Sequence, residues 1–216
     1  MRSMLVIGLG RFGTHLALKL TELGNKVLAI DKEPEVINKI ASRVTRAQIG
    51  DCMDENVLRG LGVSNFDICF VCTSDNFQSS LEITSLLKDF GAQKVVSKTD
   101  SDLHAKFLRK IGADNVVYTE RDMAQKTAIK YSTKGAFEYI ELTPEYAIFE
   151  VEVPKSWVGK NLIQLNIRTK YNINVIGRKY GGTVIPVTST EHVFESGEHL
   201  IMAGEKNNLL KMMNHA

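Results

Sequence analysis

Val6-Ile-Gly-Leu-Gly-Arg-Phe-Gly13, followed by Val27-Leu-Ala-Ile-Asp31, is the stretch on which the fold turns. A bare GxGxxG match is weak, but this one follows an apolar run, opens a helical pattern, and leads to an acidic residue at the next strand's end. Gly8 permits a tight turn, Gly10 lets a phosphate approach the backbone, and Gly13 lets helix and sheet pack closely. The first N–H groups of the helix, from Arg11 and Phe12 onward, are then free to bind phosphate with the helix dipole behind them. Asp31, with Lys32 beside it, is placed to accept hydrogen bonds from ribose hydroxyls, and its charge disfavours a 2′-phosphate. Arg11 occupies the slot after the second glycine, where a guanidinium can fork onto the oxygens of a diphosphate or triphosphate.

Outward from this turn the chain alternates short apolar runs with amphipathic helices. Met4–Ile7, Lys26–Ile30, Arg46–Ile49, Asp67–Cys72, Lys94–Ser97 and Asn115–Tyr118 read as strands. Between them, Phe12, Leu16, Leu20 and Leu23 form one helical stripe, and Leu103, Phe107, Leu108 and Ile111 another. Gly24, Gly62 and Gly91 stand where helices end. Near-continuous apolar strands between helices predict an α/β, Rossmann-like, doubly wound parallel sheet. A helix from about Arg121 to Tyr131 follows, with Ser132-Thr-Lys-Gly135 as a hinge. Beyond it the texture changes to Pro-punctuated strands, a short helix over Leu162–Arg168 and a last one over Lys206–Met213. The expected division is a nucleotide-binding domain over 1–134 and a small α+β domain over 135–216.

Ligands of such sheets bind at the carboxyl ends of the strands. Those ends carry Asp51-Cys52, Thr73-Ser74-Asp75, Lys98-Thr99-Asp100 and Glu120. Asp51 can meet an adenine amine, Thr73 to Asp75 can close over the nucleoside, and Lys98 can neutralise phosphate. His104 reads as a surface or capping histidine, with no spacing that recruits it to a metal.

The 216 residues carry a formal net charge of +2, too little to point to nucleic acid or an acidic membrane surface. No apolar run is long enough to span a bilayer and no signal peptide is evident, so a cytoplasmic protein is expected, meeting a membrane only through a partner. Cys69 and Cys72 lie three apart on one strand, face opposite sides of the sheet, and read as buried core, not as a metal pair.

Together, Val6–Gly13, Val27–Asp31, and Lys110-Ile-Gly-Ala-Asp114 with Glu120 resemble the RCK (KTN) regulatory subunits of bacterial potassium uptake, KtrA/KtrC type, related to TrkA. The resemblance covers essentially the whole chain. It implies binding of ATP and ADP, and of NAD(H), in the first domain, and assembly of dimers into an octameric ring. It also implies a membrane-embedded KtrB/TrkH-type partner whose ion flow the ring gates. By resemblance, Arg11 meets the terminal phosphates, Asp31 the ribose, and Lys98, His104 and Glu120 complete the site. Glu120 matches the family glutamate that faces the phosphates across a dimer interface, where a divalent cation binds. The second domain resembles RCK_C, in which Leu162, Ile163, Arg168, Asn174, Ile176 and Pro186 would hold cyclic di-AMP. Gly50-Asp51-Cys52 departs from the small-residue pattern common after strand three.

An NAD-dependent oxidoreductase is the rival reading, but hydride transfer needs a substrate domain with an acid or base beside the nicotinamide. The last eighty or so residues present no evident histidine–carboxylate pairing or lysine cluster, and His192 and His199 read as peripheral. A DNA-binding repressor would need a basic helix-turn-helix, and none is evident. A cofactor site without chemistry reads as a sensor.

Overall fold

The computed structural model of the chain describes residues 1–73, 76–132 and 136–215. They fall into two compact units, Met1–Asp122 and Met123–Ala216. In the first, strands β1 (Ser3–Ile7), β2 (Lys26–Asp31), β3 (Arg46–Ile49), β4 (Ile68–Val71), β5 (Val95–Thr99) and β6 (Asn115–Tyr118) alternate with helices. These are α1 (Arg11–Glu22), α2 (Pro34–Ile40), α3 (Glu55–Leu61), α4 (Phe77–Asp89) and α5 (Asp102–Lys110); α6 (Thr119–Ser132) follows β6 and spans the division.

All six strands are parallel, in the order β3-β2-β1-β4-β5-β6. Met4 of β1 pairs with Val27 on one side and Ile68 on the other, so the chain reverses direction of winding between β1 and β4. That switch point opens a crevice at the carboxyl ends of these two strands. Alternation along β1 feeds two cores. Leu5 and Ile7 join Leu28, Ile30, Cys69, Ile83 and Leu87 on one face, and Met4 and Val6 join Ala17, Val27, Ile37, Ile40 and Cys72 on the other. Each large apolar side chain fully buried in these layers contributes roughly 1.5–3 kcal/mol. Cys69 and Cys72 thus sit in opposite cores, and burial pushes both thiols up to about 12.

Local chemistry sets the helix ends. Asp54 caps α3 by accepting from the Asn56 N–H, and Gly62 closes it at φ 64°. Ser101 caps α5 by accepting from the His104 N–H. The face that α5 buries differs from the apolar stripe read in its sequence: Leu103 and Phe107 are 61% and 42% exposed, while His104, Ala105 and Leu108 are buried. A one-residue offset rotates a helix by about 100°, and packing on β5 and β6 selected the narrower stripe of 104, 105 and 108. Thr133, Lys134 and Gly135 of the expected hinge lie outside the described residues.

The second unit contains an antiparallel sheet in the order β10-β9-β11-β8-β7. Its strands are β7 (Ala136–Glu141), β8 (Tyr146–Glu152), β9 (Ile173–Tyr180), β10 (Thr183–Pro186) and β11 (His199–Glu205). Helices α7 (Leu162–Leu165), α8 (Ile167–Tyr171) and α9 (Lys206–His215) complete it. The core gathers Phe149, Trp157, Ile167, Ile173, Phe194, Leu200, Met202 and Leu209. The single helix expected over 162–168 is two. Asn166 adopts φ 47° between them, a left-handed conformation that asparagine tolerates better than most side chains.

Candidate functional site

The glycine turn is built as its sequence demands. Gly8 has φ 86°, and a Cβ there would lie 2.6 Å from the Thr73 methyl. A Cβ on Gly13 would fall 1.9 Å from the Gly8 carbonyl oxygen, so the start of α1 and the turn touch backbone to backbone. Gly10 differs: among the described residues nothing lies within 4 Å of its would-be Cβ. The first helical hydrogen bond runs from the Thr14 N–H to the Gly10 carbonyl, and Gly10 has no side chain to cap the end. The N–H groups of Arg11, Phe12 and Gly13 therefore precede any intrahelical bond and are available to an anion.

Beside the turn lies a cleft of about 400 Å³ at the β1/β4 switch point. Gly8, Gly10, Asp31, Lys32, Asp51, Cys52 and Thr73 line it. Asp31 Oδ2 accepts from the Leu9 N–H at 2.6 Å and Oδ1 from the Glu33 N–H at 3.0 Å. A carboxylate has about four acceptor positions, so room remains for two hydroxyls. Asp51 Oδ1 accepts from the Met53 N–H at 2.9 Å, which bends the chain over the cleft. Burial, with Asp51 and Asp31 adding negative charge, pushes the Cys52 thiol up to about 12. Cys52 is thus an apolar wall and not a nucleophile. The buried Thr73 hydroxyl finds no hydrogen-bond partner among the described residues. Such an unpartnered polar atom, in a residue that lines the cleft, is a hydrogen-bonding group left to be satisfied.

Arg11 is exposed on the first turn of α1 and Phe12 packs partly into the core; neither lines the cleft. Ser74 and Asp75 lie outside the described residues. Lys98, mostly buried on β5, reaches Glu120 Oε1 at 3.4 Å. Glu120 lies inside the first turn of α6, two residues after the strand end, with a 68% exposed side chain. The Thr119 hydroxyl, with Lys98 adding to it, holds its carboxyl below the usual range. His104 is no surface or capping residue. It is 1% exposed, 4.7 Å from the Phe77 ring and 3.7 Å from Asp100, and its ring nitrogens have no hydrogen-bond partner among the described residues.

In the second unit, Leu162, Ile163, Arg168 and Asn174 line a smaller cleft of about 300 Å³, with Val187 to Thr190 closing it. Ile176 and Pro186 are exposed on β9 and β10 and do not line it. This unit also corrects the expectation that it lacks histidine–carboxylate pairs. His199 Nδ1 lies 2.6 Å from Glu150, which Lys179 also meets at 3.0 Å. His192 Nε2 lies 3.0 Å from Glu198, which Arg178 meets at 2.7 Å and the Glu195 N–H at 2.9 Å. Burial opposes ionisation of both glutamates, but His199 and Lys179 around Glu150 prevail over it, as do the Glu195 N–H, His192 and Arg178 around Glu198. Both carboxyls stay below the usual range. None of these groups lines either cleft, so they are structural charge networks.

The TrkA-N domain matches residues 4–119 and the TrkA-C domain residues 146–216. The chain belongs to the TrkA-N/TrkA-C family. It is 38% identical over 199 residues to the Ktr system potassium uptake protein C of Bacillus subtilis, covering 92% of this chain and 90% of that protein. It is 34% identical over 209 residues to the Ktr system potassium uptake protein A of the same organism, covering 97% and 94%. Both relatives are potassium uptake proteins of a Ktr system. The GsuK channel bound to NAD superposes with a TM-score of 0.70 at 21% identity, which speaks for the fold alone. The match covers 97% of this chain but only 38% of that channel.

Within the TrkA-N portion, sequence reading missed Met53, Asn76 and Ser79 as cleft residues. The Ser79 hydroxyl donates to Met53 Sδ at 3.0 Å and joins the loop after β3 to α4. Asn76 caps α4, accepting from the Ser79 N–H at 3.1 Å. Nothing in the sequence around Met53 marks it. In the TrkA-C portion the missed lining residues include Asn166, Val187 and the polar run Thr188 to Thr190.

Proposed function

We propose that this chain is a nucleotide-responsive regulatory subunit of a Ktr/Trk-type potassium uptake system. The observation that carries the reading is the open helix start at Gly10 beside the Asp31 carboxylate, in a cleft where no described side chain lies within 4 Å of the position of a Gly10 Cβ. Adenosine sits along Asp31, Lys32, Asp51 and Cys52, with its ribose on Asp31 and its phosphates on the N–H groups of α1. ATP and ADP share these contacts, as does the ADP half of NAD(H). Only the terminal phosphate and its counter-cation discriminate two shapes of the assembly, through Arg11 and Glu120. Lys98, which reaches Glu120 at 3.4 Å, adds a positive charge on the phosphate side.

The donor set suits a divalent cation of the magnesium type. No group of three or more His, Cys, Asp or Glu side chains among the described residues can hold a metal alone. Glu120 offers one hard oxygen ligand, and phosphates and water supply the rest, the usual pattern for magnesium with a nucleotide.

The chain works as dimers assembled into an octameric ring on the cytoplasmic face of a membrane-embedded KtrB/TrkH-type subunit. No described helix is long and apolar enough to cross a membrane, so contact with the bilayer runs through that subunit. A nucleotide panel with calorimetry and light scattering tests the reading. ATP and ADP should bind competitively to one site and give different scattering envelopes. Absence of binding by ATP, ADP and NAD(H) alike overturns it.

A second ligand, cyclic di-AMP, is proposed for the TrkA-C portion. The support is that Leu162, Ile163, Arg168 and Asn174 line one cleft, a cation beside apolar side chains that suit a phosphate and an adenine. Titration of the full chain should give saturable heat that Arg168→Ala abolishes; no heat at saturating ligand removes the proposal.

A further inference from the structure

Tyr118, Arg121 and Asp102 close a three-way contact around the segment that carries Glu120. The Tyr118 hydroxyl donates to Asp102 Oδ1 at 2.8 Å, and Arg121 Nη1 donates to the same oxygen at 2.9 Å. The Arg121 guanidinium carbon lies 3.3 Å from the centre of the Tyr118 ring. Each member therefore touches both others. An exposed ion pair alone contributes little. Here a buried tyrosine at the end of β6 orients the carboxylate, and the planar guanidinium stacks on its ring, an arrangement that lysine does not reproduce. The Tyr118 hydroxyl, with Arg121 beside it, holds the Asp102 carboxyl below the usual range.

The cluster is not needed as a helix cap, because Ser101 already caps α5. It acts at α6, which buries none of its residues within the chain itself, so contacts inside the chain that fix its first turn come from such side-chain pairs. Strand pairing sets Lys98 beside Val117 and Thr99 beside Tyr118, so the frame around the turn is the sheet itself. Thr119 and Glu120 are thereby held between two pinned neighbours, with the Glu120 carboxylate facing Lys98 at 3.4 Å.

We propose that Tyr118, Arg121 and Asp102 are positioning residues that hold Glu120 for the divalent cation accompanying a bound nucleotide. The inference rests on the reading of Glu120 as a cation ligand given above, and couples the start of α5 to that cation.

The test measures ATP affinity of the full chain by calorimetry with and without Mg²⁺, in the parent and in Glu120→Gln, Tyr118→Phe, Asp102→Asn and Arg121→Lys. Tyr118→Phe removes only a hydroxyl, and Arg121→Lys keeps the charge but loses the stacked fork. These clamp variants should lose roughly tenfold of the Mg²⁺-dependent gain in affinity. Their Mg²⁺-free ATP affinity and adenosine affinity should match the parent, which also shows that they fold. In a Glu120→Gln background Tyr118→Phe should cause no further loss. An undiminished Mg²⁺ gain in the clamp variants, beside a loss in Glu120→Gln, overturns the proposal, and so do additive losses. A full Mg²⁺ gain in Glu120→Gln removes the cation reading itself and the proposal with it.

Discussion

Asp31 at the end of β2 accepts a hydrogen bond from the Leu9 N–H at 2.6 Å, tying the acidic residue of the second strand to the glycine turn after the first. One carboxylate thus braces the glycine turn and faces the cleft. Asp31→Asn halves its acceptor capacity and removes the charge. Hydrogen bonds to a charged group contribute about 1.5–3 kcal/mol, so adenosine nucleotides should bind at least tenfold more weakly. Discrimination against a 2′-phosphate should fall at the same time. Calorimetry with ADP and with its 2′-phosphorylated counterpart reads both effects, and unchanged selectivity would refute the ribose assignment.

Gly13 and Gly10 should separate stability from binding. A methyl at Gly13 meets the Gly8 carbonyl at 1.9 Å, and overpacking against backbone costs roughly 1–3 kcal/mol or more. Gly10→Ala meets nothing within 4 Å, so its unfolding midpoint should stay close to the parent while phosphate-bearing ligands bind more weakly than adenosine. Urea denaturation with parallel ligand titration checks the pair. A Gly10→Ala variant that binds ATP normally would show that phosphate does not approach there.

Arg11 stands on the first turn of α1, and no ion pair holds it among the described residues. Arg11→Ala should cost roughly tenfold or more in ATP affinity, the scale of a charge-assisted hydrogen bond, and leave adenosine affinity unchanged. Equal ATP affinity in variant and parent would exclude Arg11 from the phosphates.

Acid should unfold the second unit through its buried glutamates. Glu150 and Glu198 are 8% and 2% exposed, and both carboxyls are held below their ordinary value of 4.5 in the folded chain. A lowered folded pKa means the stabilisation is complete above the unfolded value and is lost as pH falls through the folded one. Stability measured by denaturant should therefore decline below about pH 4.5. Glu198→Gln should flatten this acid limb and cost about 3–5 kcal/mol at neutral pH by stranding Arg178 and His192. An acid limb identical in variant and parent would assign the pH dependence to other carboxylates.

Local chemistry made the first half of the molecule legible. Gly8 requires a positive φ, Gly13 a close backbone approach, and the strands flanking them are continuous apolar runs. Each of these constraints acts between residues a few positions apart, and Asp31 follows from the length of one βαβ unit. The TrkA-C portion was legible as strands and short helices, but its break at Asn166 depended on a single left-handed residue that helical periodicity does not register.

What the sequence determined by itself was the turn, the parallel order of the first sheet and the cleft at its switch point. Tertiary packing alone decided which side chains leave or enter that picture. His104 entered the core because α5 docked one residue away from its most apolar stripe. His199 met Glu150 across 49 positions, and Tyr118 met Asp102 across 16. Such pairs are made by strand register and helix rotation, long-range quantities that no local pattern of residues encodes.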